Sequence, residues 1–121
     1  MRSNLAITVS RVLTWCCVIV LAVLSLLPAQ EMERTPLPGR LEHFIAYAAS
    51  AAVAMAAYGA SRGSMQIIGG FWVYAGILEY LQHFSPGRHP SLADFAASAS
   101  GALCGGVAIA VLWRRLPVLP P

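Results

Sequence analysis

Apolar residues in this chain run in long blocks rather than at amphipathic spacing, and Pro, Gly and Arg punctuate them. The first block is Leu5 to Leu27, with Arg11 as its only charge, near enough to the start for its side chain to reach an interface. Pro28 ends it. A cleaved secretory signal is the competing reading of this block. The stretch is long for such a signal, and Leu27-Pro28-Ala29 is a poor cleavage site, so the block is read as a retained helix. Residues 29–40 mix charges with prolines and a glycine and read as a loop. An Ala-rich block follows over 41–58, suited to close helix packing. A short turn precedes the third block, 65–82, which becomes polar at its end, and the fourth covers 91–113. The pattern predicts an all-α fold: one domain, an integral membrane bundle of about four transmembrane helices.

Composition sharpens that picture. Hydrophobic residues make up 58% of the chain and charged residues 11%, against about a quarter charged in ordinary soluble domains. The net charge of +3 comes entirely from arginines, dispersed singly or in pairs, so they read as membrane flanks and not as a nucleic-acid surface. With an even number of spans, Arg2, Arg11, Arg62, Arg114 and Arg115 fall on the face bearing the termini, free of acids. The opposite face carries Arg34, Arg40 and Arg88 diluted by Glu31, Glu33 and Glu42. The positive-inside bias then predicts a cytoplasmic (inner) membrane protein with both termini cytoplasmic. Cys16, Cys17 and Cys104 lie inside apolar blocks without metal or redox spacing.

Nearly all the unusual polarity gathers at the outer level. Arg40, Glu42, His43, Glu79, Gln82, His83, Arg88, His89 and Asp94 stand at helix ends or in the turn between the third and fourth spans. Glu79, Gln82 and His83 at i, i+3 and i+4 are expected to share one helical face, and His43, Tyr47 and Ser50 make a second polar stripe. Ionisable groups at membrane depth are costly unpaired, so Arg88 is expected among Glu79 and Asp94, with His43 and Gln82 supplying hydrogen bonds. Such a cluster either ties helix ends together or binds a ligand. Ala97, Gly101 and Gly105 on the fourth helix permit close approach of another backbone. Glu79 and His83 have metal-ligand spacing but no further ordered ligand set, so no metal or cofactor is expected. No catalytic residue is assigned either, because no nucleophile motif or phosphate-binding loop is present.

Arg40-x-x-His43-Phe44, then Glu79-x-x-Gln82-x-Phe84-x-Pro86-Gly87-Arg88, then Asp94 and Gly101-x-x-x-Gly105 resemble the VanZ-like family over residues 40–105. The resemblance implies a compact helical inner-membrane protein of the cell envelope, in a family associated with resistance to the glycopeptide antibiotic teicoplanin. The chain departs from the family pattern at Gly39-Arg40, where Asp-Lys is common, and at Ser98, where Asn is usual. The expected role is a binding or accessory protein, more than an enzyme, that engages membrane lipids or an amphiphilic ligand. An enzyme acting on an envelope lipid, and a structural subunit partnered with another membrane protein, are the alternatives.

Overall fold

The computed structural model describes residues 3–28, 38–59 and 62–115. Arg2, Glu31, Glu33 and Arg34, which entered the charge argument, lie outside the described residues. Among the described residues the fold is all-helical, with α1 (Asn4–Leu26), α2 (Gly39–Tyr58), α3 (Ser64–Leu81), a 3-10 turn (Gln82–Phe84) and α4 (Leu92–Arg115). Each boundary has a local cause. The Ser3 hydroxyl accepts from the Ala6 amide and caps α1, whose end falls at Leu27 because the residue before Pro28 is driven to extended backbone. The Ser91 hydroxyl accepts from the Asp94 amide at 3.1 Å and opens α4 as a Ser-x-x-Asp capping pair.

The helices run up, down, up, down. Trp15 at the middle of α1 donates to the Tyr58 hydroxyl at the end of α2, and Arg11, one turn earlier, sits 4.8 Å over the Tyr58 ring. Tyr74 of α3 donates to the Val18 carbonyl of α1, setting those two helices parallel. Trp72 donates to the Ala99 carbonyl at 3.0 Å while Ile68 meets Gly106, so α3 and α4 are antiparallel.

The most extensive helix pair is α2 with α4. A Cβ added at Gly101 would overlap the Phe44 carbonyl, and one at Gly105 the Ala48 carbonyl, so the two backbones meet directly along this seam. Ala97 lies half-buried one turn earlier, and Gly106 faces the side chains of Ile68 and Met55. The core is small-featured for the same reason. Ala51, Ala54, Ala75 and Ala102 are buried together with Tyr47, Phe71 and Leu78.

Polarity across the fold runs against the soluble pattern. Thr14, Ser50, Gln82, Ser85 and Ser98 are buried, while Val12, Trp15, Ile19, Val73, Ile77 and Val107 are among many large apolar residues exposed. Two helices, Asn4–Leu26 and Leu92–Arg115, are long and apolar enough to cross a membrane.

The seam generates a direct test. Gly101→Ala should cost about 1–3 kcal/mol, because the added methyl meets backbone that cannot rotate away. Val107→Ala, on the exposed side of the same helix, should shift melting far less. Equal melting of both variants in detergent would reject the close approach.

Candidate functional site

The polar cluster forms at the end of the bundle where α2 and α4 begin and α3 ends. His43 lies in the first turns of α2, and its Nδ1 is 2.7 Å from the Gly39 carbonyl. Because a carbonyl only accepts, that nitrogen carries the hydrogen and the ring folds back toward the start of its own helix. Glu79 reaches in from the last turn of α3, and Asp94 from the first turn of α4. One ligand-capable atom from each of His43, Glu79 and Asp94 lies within 4.8 Å of the other two. Glu79 Oε2 is a buried side-chain oxygen without a hydrogen-bond partner among the described residues.

Glu79 and His83 share one side, lining an open pocket with Gly76 and Tyr80, but Gln82 does not join them: it continues the buried row Phe71, Ala75, Leu78 of α3. The α3 helix stops at Leu81 and Gln82–Phe84 wind as a 3-10 turn. Pro86 lies two residues beyond that turn and forbids a longer α-helix. Gln82 is 4% exposed, whereas His83 is exposed and packs edge-on against Tyr80 at 5.9 Å. His83 is not among the residues whose ligand-capable atoms converge on Glu79.

Arg88, expected among Glu79 and Asp94, lies near enough to Glu79 for its charge to act on that carboxylate, and it is also committed to the end of α1. Its Nε donates to the Leu27 carbonyl at 2.8 Å, and its guanidinium NH2 donates to the Leu24 carbonyl. Beside it, the Ser85 hydroxyl donates to the Leu26 carbonyl at 2.7 Å. Together they satisfy the carbonyls that the end of α1 leaves without intrahelical donors, where a cation is also favoured by the helix dipole. The cation near Asp94 is Arg40, whose Nε lies 3.6 Å from Oδ1. Arg40 is 68% exposed against 25% for Asp94, so this pair is solvated on one side and adds little stability.

Against the cluster, α1 and α2 enclose a cavity of about 180 Å³. Glu42, His43 and Arg88 form one part of its wall, and Leu21, Leu24 and Tyr47 another. A larger, mainly apolar groove of about 400 Å³ lies between α1 and α3 toward the opposite end, walled by Trp15, Tyr58, Phe71 and Tyr74. His89 is an exposed loop residue. No family model, curated protein or solved structure matches the chain.

The clasp on α1 predicts a specific instability. Arg88→Ala should cost about 1.5–3 kcal/mol, the range for hydrogen bonds to charged groups, and Arg114→Ala at the exposed end of α4 much less. Hydrogen exchange at the Leu27 amide, which bonds to the Val23 carbonyl, should accelerate in Arg88→Ala before the rest of the protein opens. Unchanged exchange there would remove the capping role.

Proposed function

We propose that the chain is a four-span protein of the cytoplasmic membrane, both termini inside, that binds an envelope lipid or related amphiphile at its outer face as a non-enzymatic accessory protein. The observation that carries this reading is the cavity between α1 and α2, where Arg88, His43 and Glu42 share a wall with Leu21, Leu24 and Tyr47. A headgroup needs hydrogen-bonding and charged partners, an alkyl chain needs apolar contact, and this wall offers both within one small volume.

The membrane reading is supported by exposed apolar residues on all four helices around a core of small and hydroxyl side chains, a distribution suited to lipid outside and close packing inside. The α2 and α3 helices fall short in apolar length by themselves, and the proposal has them cross as members of the bundle. Arg11, Arg62, Arg114 and Arg115 gather at the end opposite the cluster, which the positive-inside bias makes cytoplasmic. The resemblance to the VanZ-like family agrees with an envelope role and suggests glycopeptides such as teicoplanin as one amphiphile to try.

Topology can be read by cysteine labelling in a background with Cys16, Cys17 and Cys104 replaced by Ala. Gly39→Cys and Gly63→Cys occupy open space at opposite ends of α2. An impermeant reagent should label Gly39→Cys and not Gly63→Cys in intact cells, and the reverse pattern would overturn the orientation.

Ligand binding is tested by lipid analysis of the purified protein. Ser25→Phe places a ring in the cavity and should remove a lipid that co-purifies with the wild type while melting is retained. The same lipid complement in wild type and Ser25→Phe would defeat the reading.

A further inference from the structure

We infer that His43, Glu79 and Asp94 together hold one divalent transition-metal ion that ties α2, α3 and α4 at the cluster end of the bundle. The three side chains come from three helices, with one ligand atom of each within 4.8 Å of the other two. One imidazole nitrogen and two carboxylate oxygens make a borderline donor set that suits zinc or manganese. At that upper separation an ion at the centre of the triangle lies about 2.8 Å from each atom, so side-chain movements under about 1 Å give zinc bond lengths of about 2.0–2.2 Å.

Two observations independent of spacing point the same way. His43 donates from Nδ1 to the Gly39 carbonyl, which leaves Nε2 as the atom with a lone pair to give. Backbone carbonyls hold metal-binding histidines in this manner, fixing the tautomer and the ring. Glu79 Oε2 is buried and without a donor among the described residues, an arrangement that costs stability unless a proton or cation completes it. Two carboxylates this close also repel, and a divalent ion removes the repulsion while occupying the orphaned oxygen. Arg40 at 3.6 Å orients the Asp94 carboxylate from outside, as a positioning residue.

Three protein ligands leave positions for water or an oxyanion. His43 also lines the cavity against α1, so the ion would stand beside the amphiphile site, although the metal assignment does not depend on that reading.

The test uses full-length protein carrying a tag without histidine, purified without chelator, with metal content measured by mass spectrometry. It should carry about one equivalent of zinc or manganese per chain. After stripping with EDTA, ZnCl2 or MnCl2 should raise the melting temperature. Glu79→Gln, Asp94→Asn and His43→Ala should each weaken binding at least about tenfold, Arg40→Gln about tenfold, and the outlying His83→Ala not at all. Co2+ added to stripped wild type should give a ligand-field spectrum, a readout that stands even where a variant fails to fold. Ser25→Phe should lose lipid and keep the ion, separating failure of the amphiphile reading from failure of this one. Folded, stripped wild type that shows neither a melting shift with zinc and manganese nor a cobalt spectrum would overturn the inference, since a shared proton would then serve the two carboxylates. Undiminished binding by Glu79→Gln would overturn it equally.

Discussion

The backbone contact between α2 and α4 is the constraint on which the remaining geometry depends. Gly101 and Gly105 set the register of the pair by meeting the Phe44 and Ala48 carbonyls. Since the two helices run parallel, their N-terminal turns end at one level, and Arg40 comes within 3.6 Å of Asp94. The His43 ring, drawn back toward Gly39 by its Nδ1 hydrogen bond, reaches that level too. Antiparallel to α4, α3 delivers its last turn and Glu79 to the same place. A side chain at either glycine would separate the seam and with it the polar residues of the cluster.

Close packing of this kind fixes what the interior can contain. Helices that approach to backbone contact leave room for Ala, Gly and Ser, so large apolar residues are displaced outward. In water such a surface would be an aggregation hazard, whereas in lipid it has no comparable cost, and van der Waals contact between small residues can hold the helices together. Two of the buried hydroxyls find partners inside their own helices. Ser50 donates to the Ala46 carbonyl and Thr14 to the Ser10 carbonyl, each within its own helix.

Helix number and boundaries were legible in the sequence because Pro28, Pro38, Gly63 and Pro86 interrupt apolar runs at positions where backbone chemistry permits few alternatives. The residues of the cluster were legible as a group because polarity at membrane depth stands out from its surroundings. Their partners were not. Arg88 bonds to main-chain carbonyls of α1, and carbonyl acceptors leave no mark in a sequence, so only its electrostatic link to Glu79 could be anticipated. Gln82 turns inward because it continues the row Phe71, Ala75, Leu78 at helical spacing, the side of α3 away from the pocket that Glu79 and His83 line. The triangle of His43, Glu79 and Asp94 depends on three helices meeting, and no spacing along the chain encodes it. One local signal was present: Ser91-x-x-Asp94 is a capping pattern that places Asp94 in the first turn of α4.

That placement makes the two carboxylates physically unequal. Asp94 sits at a helix N-terminus, where the partial positive charge of the first turn favours an anion, and it has Arg40 beside it. Glu79 sits in the last turn of α3, where the partial negative charge of the C-terminus opposes an anion, and one of its oxygens is buried without a donor. Asp94 would be stable in this position with no further partner, and Glu79 would not. The solvated Arg40 cannot offset a charge held on the other side of the cluster. Arg88, shared with the end of α1, and His43 act on Glu79 through their charge, yet the buried Oε2 still lacks a donor among the described residues. A cation at that oxygen would complete it, and the imidazole lone pair of His43 decides the form in which it is best received. A bare proton would satisfy the carboxylates and leave that lone pair without a role. A metal ion engages all three groups together.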